Sequence, residues 1–96
     1  MSSQFFEHHL YHLKILTPGE TVLDEDVVSI VAPGEAGYLG VLANHAPIVT
    51  TLQRGTLQIK FESGEKWFRV EGGILRVASN SAVLLSESVE EVAPES

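Results

Sequence analysis

Glu7-His8-His9-Leu10-Tyr11-His12 is the one stretch of this chain where side chains of metal-binding type crowd together, three imidazoles lying within five residues. Neutral imidazole suits zinc or copper, and a stable site needs three or four ligands converging on one point. On an extended strand His8 and His12 face one side and His9 the other. Only two can converge without outside help, so the stretch reads first as a polar lead into a strand. His45 stands alone between Asn44 and Ala46, with no nucleophile or orienting carboxylate beside it. A lone imidazole lacks the positioned partners that nucleophilic or acid–base catalysis requires. A cupin-like metal enzyme would need His-x-His followed closely by Glu, and that spacing does not occur.

The run Pro33-Gly34-Glu35-Ala36-Gly37-Tyr38-Leu39-Gly40 is glycine-rich. It lacks the Gly-Lys-Ser/Thr ending with which a phosphate-binding loop holds its nucleotide and magnesium, and no helical pattern follows it. It reads as a tight loop in which Gly34, Gly37 and Gly40 allow positive φ or close backbone approach. Rigid, exposed loops at the end of a β domain are natural docking surfaces.

The elements that hold these residues read as strands. Thr56-Leu57-Gln58-Ile59-Lys60-Phe61 alternates, placing Leu57, Ile59 and Phe61 on one face and Thr56, Gln58 and Lys60 on the other. Glu62-Ser63-Gly64-Glu65 supplies turn chemistry, and Lys66-Trp67-Phe68-Arg69-Val70-Glu71 alternates again with Phe68 and Val70 inward. Upstream, Tyr11 to Leu16, Thr21 to Leu23 and Asp26 to Ala32 are short aliphatic or β-branched runs parted by Thr17-Pro18-Gly19 and Asp24-Glu25. Downstream, Ile74 to Ala78 and Ala82 to Ser86 flank a turn at Ser79-Asn80-Ser81. Turn signals about every eight to twelve residues belong to a sandwich or barrel. No segment carries a helical period, so the chain is expected to be all-β.

A chain of 96 residues closes a single core, so one domain is expected. We divide it into a flexible lead (residues 1–9), a sandwich (10–89) and a frayed acidic tail (90–96), since Pro94 discourages helix continuation. There is no cysteine, which excludes disulfides and thiolate metal sites. No basic flank followed by an apolar stretch opens the chain, and no apolar run approaches the length of a spanning helix. The sequence thus reads as neither exported nor membrane-embedded. A formal charge of −7 disfavours nucleic acid and anionic lipid, both of which are bound through Lys and Arg. Residue chemistry alone leads to an acidic β-sandwich that binds a partner with cationic or apolar groups.

Longer runs carry a resemblance. Gly37-Tyr38-Leu39-Gly40-Val41-Leu42-Ala43-Asn44-His45-Ala46-Pro47-Ile48-Val49-Thr50-Thr51-Leu52, followed by Gly55-Thr56-Leu57-Gln58-Ile59, closely resembles the epsilon subunit of F-type ATP synthases. Leu13-Lys14-Ile15-Leu16-Thr17-Pro18-Gly19 and Val70-Glu71-Gly72-Gly73-Ile74-Leu75-Arg76-Val77 agree, in the family's order and spacing. The resemblance implies a ten-stranded β-sandwich at the foot of the central stalk. It implies a subunit without catalytic residues, nucleotide site, metal or other cofactor, bound to the gamma subunit and resting on the ring of c subunits. That setting is peripheral to an energy-transducing membrane, on the cytoplasmic face in bacteria. By position, Thr17, His45 and Thr50 correspond to the surface turned toward gamma, and Glu35, Gly37, Tyr38 and Leu39 fall in the loop that meets the c ring. Many relatives carry an acidic residue where this chain has Tyr38, to face an arginine of the ring. Either Glu35 supplies that charge here, or Tyr38 stacks on the arginine. Most bacterial relatives continue into a two-helix hairpin that inhibits hydrolysis and in some binds ATP. This sequence ends at Ser96 with no arginine after Arg76, so the expectation is the short form, without that regulation. The competing expectation is a free-standing sandwich that binds some other protein or ligand.

Overall fold

Alternating burial along the chain produces eight strands in a computed structural model that describes residues 9–94. They are β1 (Tyr11–Thr17), β2 (Glu20–Val27), β3 (Ser29–Gly34), β4 (Gly37–Leu42), β5 (Ile48–Phe61), β6 (Gly64–Ala78), β7 (Ser81–Leu85) and β8 (Val89–Val92). Among the described residues there is no helix. The strands pair in the order β2-β1-β7-β6-β5-β3-β4, and β8 joins the free side of β6. All pairings are antiparallel except β1 with β7.

β5 and β6 are the spine, 14 and 15 residues long where a typical strand has about five or six. Their ladder runs from Ile48 opposite Val77 to Phe61 opposite Gly64, interrupted at Gln53 and Gly72. On one side of that interruption Ile74 to Ala78 pairs with β7, which passes to β1 and β2. On the other side Trp67 to Val70 pairs with β8, while Gln58 to Lys60 of β5 pairs with β3, which passes to β4. The sheet therefore folds over itself into two layers that share β5 and β6. The family resemblance implies ten strands and eight are found, because each spine strand crosses both layers unbroken. Counted once per layer, they would make ten.

Between the layers lies a single core. Leu13, Ile15, Leu75 and Leu84 line the first layer and Ile30, Leu57, Ile59 and Val70 the second, all essentially inaccessible to solvent. Each such side chain contributes roughly 1.5–3 kcal/mol on burial. Close packing of this kind resists deformation, which makes the domain a stiff body.

Two boundaries differ from the sequence expectation. Asp24-Glu25 is no break, since β2 runs through it and the chain bends at Val28. β2 lies at a sheet edge, where an exposed acidic run is tolerated and blunts further pairing. The frayed tail expected from residue 90 is also corrected, because Glu90, Glu91 and Val92 stay in β8, paired with Arg69, Phe68 and Trp67. Their backbone completes the second layer while the glutamates remain exposed. The lead expected over residues 1–9, apart from His9, lies outside the described residues.

Candidate functional surface

β3 and β4 form a hairpin closed by Gly34 opposite Gly37, with Glu35 and Ala36 at its tip. The turn demands both glycines. Gly37 has φ +130°, a conformation that side chains rarely adopt, and a Cβ at Gly34 would come 2.8 Å from the Gly37 carbonyl oxygen. Gly40 meets neither demand, since a Cβ there would touch nothing.

The four residues expected to face the ring are gathered at this turn. Glu35 and Gly37 are exposed, Tyr38 is 66% exposed, and Leu39 turns inward to pack against the core. The turn is fastened to β5. The Glu35 amide donates to the Thr51 carbonyl at 3.0 Å, and the Thr51 hydroxyl donates to the Glu35 carboxylate. Gln53 Nε2 donates to the carbonyls of Gly34 and Glu35 at 3.1 and 2.8 Å. Tyr38, Gln53 and Arg54 share a small cleft of about 90 Å³ with Pro33, Gly34 and Gly37. The Arg54 guanidinium is paired with Glu71 at 2.8 Å.

His45 lies beyond the opposite end of β4, half-buried, with Nδ1 2.6 Å from the Ala46 carbonyl oxygen. Its loop is pinned by Asn80. Asn44 has φ +64° and donates its amide to Asn80 Oδ1 at 3.2 Å, while Asn80 Nδ2 donates to the Leu10 carbonyl at 2.8 Å. The Asn80 carbonyl in turn accepts from the His12 amide at 3.0 Å.

The structure does not bring the three residues expected to face gamma into one cluster. Thr50 is half-buried opposite Leu75, on the side of β5 that faces the core, and Val49 beside it is 71% exposed. Thr17 ends β1, three strands away across the first layer, or roughly 14 Å at ordinary strand spacing. It borders an open groove of about 450 Å³ whose walls include Leu16, Pro18, Gly73, Ile74 and Leu85.

The histidine stretch resolves differently. His12 spends both ring nitrogens on carboxylates of the neighbouring strand, Nδ1 on Asp26 at 2.9 Å and Nε2 on Asp24. Those bonds, the one to Asp26 first, raise its pKa above the ordinary histidine value. His9 is exposed, His8 lies outside the described residues, and among the described residues no group of three or more candidate ligands is placed to hold a metal. Sequence reading missed the fastening roles of Thr51, Gln53 and Asn80. Each bonds a segment far away in sequence, and no local pattern announces that.

Comparison with known proteins follows the same lines. The family described as ATP synthase, Delta/Epsilon chain, beta-sandwich domain matches residues 10–92. The ATP synthase epsilon chain of Moorella thermoacetica is 39% identical over 80 residues, covering 82% of this chain and 60% of that one. That of Bartonella henselae is 38% identical over 89 residues, covering 93% and 63%. This chain thus spans about 60% of the length of these relatives. A chain in the cryo-EM structure of Euglena gracilis mitochondrial ATP synthase, OSCP/F1/c-ring in rotational state 1, shares the fold. Its TM-score is 0.82 at 22% identity, over 95% of this chain and 66% of that one. The family match takes in every strand of both layers, and the chain belongs to the β-sandwich domain family of ATP synthase delta and epsilon chains.

Proposed function

We propose that this domain is a non-catalytic coupling piece of a rotary ATP synthase, joining the ring of c subunits to the gamma shaft. Ion-driven rotation of the ring then reaches catalytic sites that lie on other subunits. In this reading Glu35, Gly37, Tyr38 and Leu39 meet the ring, while Thr17, His45 and Thr50 belong to the side turned toward gamma. The domain works peripherally, on the cytoplasmic face of a bacterial energy-transducing membrane, and needs no cofactor of its own.

The observation that carries the reading is the geometry of β4. Its two ends lead into the two pinned turns, one bearing Tyr38 and the other His45. Six residues of extended chain span about 20 Å, so Tyr38 and His45 are held apart yet joined by one short strand in a close-packed sheet. Torque applied at one turn reaches the other with little loss to bending.

Co-expression with the gamma and c subunits of the same organism tests the proposal. A complex of all three that survives size-exclusion chromatography is expected. If the chain elutes alone, with gamma and the ring associated without it, the proposal fails.

A further inference from the structure

Gln53 occupies an unusual place in the spine. The β5–β6 ladder is interrupted there, opposite Gly72, between the pairs Leu52–Gly73 and Arg54–Glu71. Its side chain is exposed at the surface and turns to the β3–β4 hairpin, where Nε2 donates to two successive carbonyls, Gly34 at 3.1 Å and Glu35 at 2.8 Å. A primary amide nitrogen carries two N–H donors, and both are used. Thr51, two residues earlier on the same side of the strand, takes up the rest of the tip through the Glu35 amide and carboxylate. A two-residue tip has few internal bonds, so these contacts, with the backbone pairing of Gly34 and Leu52, fix where it points.

We propose that Gln53 is a positioning residue for docking at the β3–β4 turn, acting by donating to the two carbonyls and so aiming Tyr38. The proposal rests on the reading of that turn as the ring-facing surface. The chemistry it demands is specific, because the carbonyls accept only from a donor. Gln53→Glu keeps the length of the side chain but replaces the donating nitrogen with a carboxylate oxygen, which repels the carbonyls. Gln53→Lys brings N–H donors back at comparable reach. Packing of the side-chain stem would not distinguish the two variants in this way, and an exposed position lets both fold.

The test uses the whole chain in two measurements, amide hydrogen exchange at Glu35 in the free protein and association with the detergent-solubilised c ring. In Q53E, exchange at Glu35 should be at least about tenfold faster and ring association at least about tenfold weaker, the scale of the two hydrogen bonds lost. Q53K should stay close to the parent in both once the added charge of each variant is screened at high salt. Unchanged exchange in Q53E overturns the positioning role, and so does a Q53K variant that behaves like Q53E. Faster exchange in Q53E, restored in Q53K, with ring association the same in all three proteins, upholds the positioning role and overturns the ring-facing reading of the turn.

Discussion

Tyr11 of β1 donates its hydroxyl to the carbonyl oxygen of Val41 of β4 at 2.7 Å, across the core from the first layer to the second. The tyrosine is only 3% exposed. Burial pushes its pKa above the ordinary tyrosine value, because the phenolate would lose its hydration. Val41 lies one residue before the end of β4, which leads into the turn before His45, so this bond ties the start of the sandwich to the His45 loop.

Removing the hydroxyl should therefore cost more than an exposed hydrogen bond would. Tyr11→Phe leaves a buried carbonyl without its donor, and we expect a loss of about 1–3 kcal/mol, read from urea unfolding at constant m. The pH dependence has a definite sign. A folded-state pKa above the unfolded one contributes stability that is complete below the unfolded value and is lost as pH rises. Stability of the parent should fall above pH ~10, and that part of the fall should be absent in Tyr11→Phe. An identical alkaline decline in both proteins would mean that Tyr11 is not its source.

His12 gives a second signed expectation, near neutrality. Its bonds to Asp26 and Asp24 favour the protonated ring, so their contribution is complete below the ordinary histidine pKa of about 6.5 and fades as pH rises above it. Titration of the His12 ring protons by NMR should give a midpoint above that value. Asp26→Asn should lower the midpoint more than Asp24→Asn, following the order of the two bonds. The stability effect should be small, since the pair is exposed and screened by solvent. A midpoint unmoved by either substitution would remove the clasp as a solution feature.

Much of this architecture is legible in the sequence because burial in a two-layer sheet repeats every second residue. The alternation of Leu57 and Ile59, or of Phe68 and Val70, reports the core face directly. Asp24-Glu25 misleads, since charge usually marks a turn yet is tolerated on an edge strand. The tail misleads for a related reason: Glu90 and Glu91 look like solvated chain, but β8 needs only their backbone. The site is legible in part. Tyr38 and His45 are recognisable from the family motif around them, whereas the residues that hold their loops, Gln53 and Asn80, lie far off in sequence and act through side-chain bonds to backbone. Only the register of the folded sheet brings them together.

Gly73 is the most tightly enclosed glycine among the described residues. A Cβ there would come within 2.0 Å of the Leu85 carbonyl oxygen, and its φ of +133° is strained for any other residue. Backbone cannot swing aside as a side chain can. Gly73→Ala should destabilise by at least about 2 kcal/mol, whereas Gly40→Ala should fall within about ±0.5 kcal/mol, because a methyl group there meets nothing. Thermal unfolding of the two variants side by side checks the contrast. Equal melting temperatures would show that β6 and β7 can separate at this point without cost.

The final expectation concerns which residue of the β3–β4 turn would carry the proposed ring contact. From sequence, Glu35 offers charge and Tyr38 an aromatic face. In the structure the Glu35 carboxylate accepts from Thr51 while Tyr38 projects with two thirds of its surface exposed. Tyr38 is thus the freer partner for a cationic side chain, through a cation–π contact worth about 0.5–2 kcal/mol. Tyr38→Ala should weaken association with the c ring by about 2- to 30-fold, and Tyr38→Phe, which keeps the aromatic face, should remain near the parent. Glu35→Gln should have the smaller effect, because a neutral amide oxygen can still accept from Thr51. Binding of each variant to the purified ring, measured at two salt concentrations, separates the roles: a charge contact weakens with salt more steeply than an aromatic one. If both Glu35→Gln and Tyr38→Ala bind as the parent does, this turn is not the ring contact.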